Sequence, residues 1–226
     1  MHACTPAGEA ELVATGSAFP MCIDFLPDGR LLVVHGTDLL VQDGRTMTRY
    51  ADLSPVSSLS FNDITVDPAG NVFVNNIGFE FPEGEPKPGL VAVVTPSGDV
   101  RVVAGDLMFP NGMAVLGTTL VVAESYANRL TAFDIGASGE LTGRRVWAAL
   151  GEHNPDGICV APDGTIWYAD VPHQVCVNVA EGGEVLRTID LDRGAFSCVL
   201  GEGTLYVTTN SWGDVGRNGQ LVAIDL

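Results

Sequence analysis

The chain has 226 residues and a formal net charge of −17, from 28 acidic and 11 basic residues. Phosphate backbones and anionic lipid surfaces are bound through clusters of Lys and Arg, so this charge argues against a nucleic-acid or membrane partner. The N-terminal segment MHACTPAGEAELV has neither a basic region nor an apolar run of the kind that signals secretion. We therefore expect a cytoplasmic monomer or homodimer that acts on a small molecule.

Along the chain, short apolar runs joined by a turn recur every 40 to 50 residues, whereas amphipathic helical patterns are scarce. A supersecondary unit repeated at this period predicts a β-propeller with one repeat in each blade. The repeated segments are FPMCIDFLPDGRLLVVHG, SFNDITVDPAGNVFVNNIG, FPNGMAVLGTTLVVAES, NPDGICVAPDGTIWYAD and AFSCVLGEGTLYVTT.

We predict a single all-β domain over residues 1–226, a β-propeller of five blades with mostly four antiparallel strands each. The blades are expected at about 19–53, 57–107, 108–150, 154–192 and 195–226, with residues 10–17 completing the last one.

Two further expectations concern the edges of the ring. The run at 11–14 should pair beside the strand at 220–224, which would close the ring and cover both edge strands. The insertion FEFPEGEPKP at 79–88 is too polar and too rich in proline for a strand. We predict a loop over one mouth of the central channel, either as a lid or as surface decoration.

Aligning the repeats on their turn glycines places equivalent residues at two levels beside the channel. The first level, where the innermost strand begins, contains Met21, Asn62, Asn111, Asp156 and Ala195. The second level, where the next strand ends, contains His35, Asn76, Glu124, Asp170 and Thr209. Because these two strands are antiparallel, both levels lie at the same mouth.

The oxygen donors of Asn62, Asn111 and Asp156 suit a hard divalent cation, with Ca²⁺ preferred. A cation held by few protein ligands can polarise a carbonyl group or lower the pKa of water. Local hydrogen bonding at turns and strand ends also favours Asn and Asp, so a structural role stays open. The predicted substrate contacts are Asn62, Met21, His35, Asn76, His173 and Phe19.

Other side chains near the same mouth are candidates for proton transfer. His153 lies beside Asp156 in HNPDG and could act as a base. Glu124 and Asp170 could act as acid or base, or could hold the ligands in place, and His173 lies just beyond Asp170. The remaining large aromatic residues are predicted to pack between blades: Tyr126, Trp147, Trp167 and Trp212.

The segments FNDITVDPAG, FPNGMAV and NPDGICVAPDGTIWYAD resemble motifs of the senescence marker protein/gluconolactonase/luciferin-regenerating enzyme family of calcium-dependent propeller hydrolases. The resemblance covers nearly the whole chain. It implies hydrolysis of sugar-acid lactones and related esters around one divalent metal held by a Glu, two Asn and an Asp. It implies metal-ligand roles for Asn111 and Asp156, proton transfer by Asp156, a ligand or substrate contact at Asn62, and a structural partner in Asp63.

The chain departs from this family's pattern at the first blade. The family is six-bladed, and its metal-binding Glu lies in a first-blade E-G-P-x-W motif that is absent here. At the position in the repeat alignment that would match this Glu, the chain has the apolar Met21. The protein ligands would therefore carry one negative charge instead of two. Metal affinity should then be lower, unless His35, Glu124 or Asp170 compensates.

Three hypotheses follow for the activity. The leading one is a hydrolase of lactones or esters that uses a divalent metal. The second is a metal-independent enzyme of specialised metabolism, in which Met21, Phe19 and Ala195 line an apolar pocket and Glu124 or Asp170 acts as the acid or base. The third is a propeller that binds small molecules without catalysis.

Overall fold

A computed structural model describes residues 2–5, 8–13, 22–211 and 218–226. In these ranges the chain is almost entirely β-strand and turn, and the helical structure is one 3₁₀ turn at Ser125–Ala127. Across the same ranges no helix is long and apolar enough to cross a lipid bilayer. The strands are β1 (His2–Cys4), β2 (Ala10–Leu12), β3 (Ile23–Phe25), β4 (Leu31–His35), β5 (Asp38–Asp43), β6 (Thr46–Asp52), β7 (Asp63–Val66), β8 (Val72–Asn76), β9 (Gly89–Val94), β10 (Val100–Leu107), β11 (Pro110–Leu116), β12 (Thr119–Glu124), β13 (Arg129–Ile135), β14 (Leu141–Ala149), β15 (Pro155–Val160), β16 (Ile166–Asp170), β17 (Val175–Val179), β18 (Val185–Asp190), β19 (Gly194–Gly201), β20 (Thr204–Asn210) and β21 (Gln220–Asp225).

These strands form five antiparallel blades arranged as a propeller, which confirms the predicted fold class. The first four blades are four-stranded meanders, β3–β6, β7–β10, β11–β14 and β15–β18, and the fifth contains β19–β21. The turns between the first two strands of a blade follow the sequence signals. Gly29, in the first PDG turn, has a φ of 86°, which residues with a Cβ rarely adopt.

Apolar clusters between adjacent blades form the core. Every residue of β8 and of β16 is buried, because the second strand of a blade is covered on both faces by its neighbours. In contrast, β18 at the outer edge of the fourth blade is mostly exposed. Consequently, a polar residue at the end of a second strand is buried and must find its hydrogen-bond partners within the protein.

The predicted pairing of the N-terminal run with the last strand is wrong. Strand β2 pairs with β1 in a separate hairpin whose turn is closed by a 2.8 Å bond from Thr5 N to Glu9 O. Within the described residues, β21 pairs with β20, and its Leu221 is 52% exposed. A short hairpin satisfies its backbone groups locally, with far less loop-closure entropy than pairing with a strand about 200 residues away. Ala14 lies outside the described residues.

Candidate functional site

The innermost strands of three neighbouring blades bring Asn62, Asn111 and Asp156 together. Asn62 Nδ2 donates to Asn111 Oδ1 at 3.1 Å, and the Asn111 side chain is hydrogen-bonded to the Asp156 carboxylate. These contacts confirm that the register of the repeats places the three residues side by side. Whether they bind a metal is a separate question.

The glycines that follow Asn111 and Asp156 allow this close approach. A Cβ at Gly112 would lie 2.6 Å from the backbone nitrogen of Ile158 on the next blade. A Cβ at Gly157 would lie 2.7 Å from the Cα of Ser197 on the blade after that. The Asn-Gly and Asp-Gly pairs therefore have a packing reason, since any side chain at either glycine would push the inner strands apart.

Two residues that sequence reasoning missed support Asn111. Ser125 receives a hydrogen bond from Asn111 Nδ2 at 3.3 Å and donates its own to the carbonyl oxygen of Pro155 at 2.6 Å. Asn75 is fully buried, donates to the backbone oxygen of Asn111 at 2.6 Å, and has no described partner for its Oδ1. Both residues neighbour the second level of the repeat alignment, Ser125 following Glu124 and Asn75 preceding Asn76.

The site concentrates negative charge on half-buried carboxyl groups. Burial raises the pKa of Asp156 well above its ordinary value, and the charges of Asp63 and Asp170 raise it further. Burial also raises the pKa of Asp63 to about 6, even though the backbone N–H of Met113 donates to it at 2.8 Å. Cys22 is hydrogen-bonded to Asp63, and burial together with that neighbouring charge raises the pKa of its thiol.

This arrangement fits a divalent cation. Neither Asp63 nor Asp156 has a salt-bridge partner among the described residues. Asn111 Oδ1 lies 3.1 Å from Asn62 Nδ2, the Asn111 side chain is hydrogen-bonded to Asp156, and the orphaned Oδ1 of Asn75 is a buried acceptor close by. Oxygen donors with uncompensated negative charge are what Ca²⁺ and Mg²⁺ prefer.

A cavity of about 590 Å³ opens beside Asp156. A polar part of its wall comes from Asn111, Ser125, Asn154 and Asp156, and an apolar part from Phe81, Phe109, Tyr126, Val171 and Pro172. Because Phe81 belongs to the insertion at 79–88, that loop does cover the mouth at which the site lies, as predicted.

The aromatic residues fall into two groups. Trp147 and Trp167 are buried between blades, as expected. The packing role predicted for Tyr126 is wrong, because this side chain is 46% exposed and lines the cavity. Its exposure follows from its place in the 3₁₀ turn after β12, outside the blade core. Trp212 lies outside the described residues.

His153, Asp170 and His173 form a separate cluster next to the cavity. The buried Asp170 Oδ2 accepts from His153 Nδ1 at 2.7 Å and from His173 Nδ1 at 2.9 Å, and the two rings lie 4.8 Å apart. Backbone N–H groups of Asn154 and His173 also donate to this carboxylate. The neighbouring residues Asn154, Val171 and Pro172 line the cavity, and the catalytic roles of His153 and Asp170 and the substrate contact of His173 stay predictions. The three side chains together could hold a metal ion.

Glu124 is not available for proton transfer. It is fully buried, and its Oε1 accepts from Arg129 Nε at 2.9 Å and from Thr131 Oγ1 at 2.5 Å. Its Oε2 accepts from the backbone N–H of Met108 at 2.8 Å. The carboxylate thus ties β12 to β13 and to the turn before β11, and the predicted acid-base role gives way to a structural one.

Of the substrate contacts predicted at the second level, Asn76 has a structural role, and His35 stays a prediction. Asn76 is buried, donates to the carbonyl of Ser60 at 3.1 Å and accepts from Gly78 N at 2.8 Å, so it fixes the segment that enters the second blade. His35 ends β4 and is not among the residues that line the cavity. Met21 and Phe19 lie outside the described residues.

The fold and the site together define a five-bladed propeller with an acidic, amide-rich pocket at one mouth. The chain matches the family described as SMP-30/Gluconolactonase/LRE-like region over residues 1–211, and it belongs to that family. The motifs that suggested this resemblance are thereby confirmed.

Several known proteins are similar to this chain. Regucalcin from Danio rerio is 29% identical over 170 residues, which cover 70% of this chain and 53% of that protein. The chain therefore spans about half the length of this curated relative.

Solved structures share the fold. A luciferin-regenerating enzyme has a TM-score of 0.83 at 19% identity, with 100% of this chain and 83% of that chain covered. A gluconolactonase from Xanthomonas campestris has a TM-score of 0.73 at 22% identity, with 89% and 72% covered. A calcium-binding regucalcin from Agrobacterium tumefaciens has a TM-score of 0.71 at 21% identity, again with 89% and 72% covered.

Proposed function

We propose that this protein hydrolyses lactones or related small esters in the cavity beside Asp156. The observation that carries the proposal is the position of this carboxyl group, which lines the cavity and is hydrogen-bonded to Asn111. Burial raises its pKa above the ordinary value of a carboxyl group, a shift that is common at sites of proton transfer. Membership of the gluconolactonase-like family supports the reaction class, and a cavity of about 590 Å³ suits a small-molecule substrate.

Asn62, Asn111 and Asp156 would hold a divalent metal ion, with Ca²⁺ the cation that this donor set suits best. When bound, such an ion polarises a carbonyl oxygen and lowers the pKa of water. The neighbouring Asp63 would add negative charge behind the ligands.

The proton steps can be assigned to Asp156. The oxygen of a water molecule bonds to the lactone carbonyl carbon, and the Asp156 carboxylate accepts a proton from that water. At the same time the π electron pair of the C=O bond moves to the carbonyl oxygen. When that carbonyl re-forms, the ring C–O bond breaks, and the departing alkoxide takes the proton from Asp156. One water is consumed, the product is a hydroxy acid, and the carboxylate is restored. Asn111 keeps Asp156 in place through their hydrogen bond.

The test compares Asp156→Asn with Asp190→Asn, an exposed residue at the end of the same blade. Lactone hydrolysis should fall by at least about 100-fold in the first variant and stay unchanged in the second. Calorimetric titration with Ca²⁺ should show binding to the wild type and a loss of affinity only in Asp156→Asn. Equal hydrolysis by wild type and Asp156→Asn would refute the assignment. Full activity in the presence of a chelator would refute the proposed role of the metal ion.

A further inference from the structure

Four aromatic side chains form one patch at the cavity, which we call the aromatic patch: Phe79, Phe81, Phe109 and Tyr126. The ring centroids of Phe109 and Tyr126 lie 4.6 Å apart, and those of Phe81 and Phe109 lie 5.5 Å apart. Phe79 is buried and anchors the patch, whereas Phe81 is 37% exposed. Tyr126 is 46% exposed, so Phe81 and Tyr126, two of the rings that line the cavity, keep part of their surface exposed.

Phe109 has an unfavourable backbone conformation in this patch. Its φ is 55°, in the left-handed region that bulky residues rarely adopt. Hydrogen bonds from Ser125 N to Phe109 O at 3.1 Å and from Tyr126 N to Met108 O at 3.2 Å keep the turn in place. Residues in such conformations persist only where the surrounding structure holds them, and they are frequent at ligand sites.

Part of the polar cavity wall is engaged in hydrogen bonds within the protein. Ser125 Oγ donates to Pro155 O at 2.6 Å, and Asn154 Nδ2 donates to the backbone oxygen of Ser125 at 2.9 Å. Arg193, on another side of the cavity, is paired with Asp192 at 2.7 Å. Asp156, Gln174 and Ser211 add further polar groups to the wall, on the side where the carbonyl of a lactone would bind.

From these observations we propose that the substrate is a lactone carrying an aromatic ring, with that ring against the aromatic patch and the carbonyl at Asp156. This inference rests on the proposed hydrolase function and specifies its substrate class. Offset and edge-to-face contacts with Phe81, Phe109 and Tyr126 would bind the ring. The single carbonyl needs only the polar groups around Asp156, and the ring contacts with the aromatic patch would favour an aryl lactone over a polyhydroxylated sugar lactone.

Two lactones with the same six-membered ring and an alkoxide leaving group test the proposal: δ-phenyl-δ-valerolactone and glucono-δ-lactone. The wild type should show a kcat/KM at least about tenfold higher for the phenyl compound. In Phe81→Ala that preference should fall by about tenfold. Phe25, which is 56% exposed on the first blade, supplies the control Phe25→Ala, whose preference should equal that of the wild type.

Calorimetry with the lactam 6-phenylpiperidin-2-one, which resists hydrolysis, separates this inference from the proposed function. Lactam binding that weakens in Phe81→Ala, without hydrolysis of either lactone, would uphold the aromatic site and refute the hydrolase. Hydrolysis of glucono-δ-lactone equal to or faster than that of the phenyl lactone, without lactam binding, would overturn the aromatic site and leave the hydrolase standing. If the protein neither binds the lactam nor hydrolyses a lactone, both are wrong.

Discussion

Replacing Glu124 by alanine should destabilise the protein strongly, because the fully buried carboxylate pairs with Arg129 and also accepts from Thr131 and from the backbone N–H of Met108. Removing one partner of a buried, hydrogen-bonded ion pair costs about 3–5 kcal/mol. Unfolding entropy near 2.1 cal/mol/K per residue gives about 0.5 kcal/mol/K for 226 residues. A loss of about 4 kcal/mol therefore lowers Tm by about 8 °C.

The matched control is Asp134→Ala, which removes an ion pair of similar length at the surface. Asp134 lies 2.7 Å from Arg145, but its side chain is 58% exposed, so the change should cost at most about 1 kcal/mol. Urea unfolding followed by circular dichroism measures both free energies. Equally small losses of unfolding free energy in the two variants would show that burial of an ion pair does not determine its contribution to stability.

Lowering the pH should reduce the difference in the free energy of unfolding between the wild type and Glu124→Ala. Burial raises the pKa of Glu124, but the bonds from Arg129, Thr131 and Met108 outweigh it, so the pKa lies below the ordinary 4.5. The stabilisation is complete above that value and is lost as the pH falls through the lowered pKa. The pH profile of hydrolysis should not change, since Glu124 exchanges no proton with the substrate. A shifted profile would restore an acid-base role.

Three further predictions concern the site. The rate should rise with pH as Asp156 ionises, because the ionised form is the base, and Asp156→Asn should abolish that limb of the pH profile along with most of the activity. Asp63 has a pKa of about 6 against an ordinary 3.8, so its ionisation should reduce stability by about 3 kcal/mol as the pH rises through that window. The midpoint of urea unfolding, measured in the presence of a chelator, should therefore change less between pH 5 and pH 8 in Asp63→Asn than in the wild type. The same change with pH in both proteins would contradict the raised pKa of Asp63. Gly112→Ala should lower Tm and activity together, since its Cβ would lie 2.6 Å from the next blade, whereas Gly105→Ala, with nothing within 4 Å, should change neither. Equal changes in Tm and activity in the two variants would contradict the tight packing of the inner strands at Gly112.

The alignment of the repeats predicted which inner-strand residues would meet, but not the direction of side chains at the second level. Asn76 and Glu124 occupy the positions that the alignment assigned to the mouth, yet both turn into the protein to satisfy buried backbone groups. A polar residue at the end of a buried strand has the same sequence signature whether it faces a ligand or a carbonyl group. The contacts that distinguish the two cases come from segments distant in the chain.

The sequence by itself determined the five-bladed propeller and the meeting of Asn62, Asn111 and Asp156, because repeated strands and turn glycines impose one register on every blade. Only the tertiary structure decided what surrounds them. The loop at 79–88 carries Phe81 back over the mouth, where it packs against Phe109, and burial sets the charge around Asp156. These features depend on how far each group lies from water and from residues remote in the chain, and no local pattern encodes those distances.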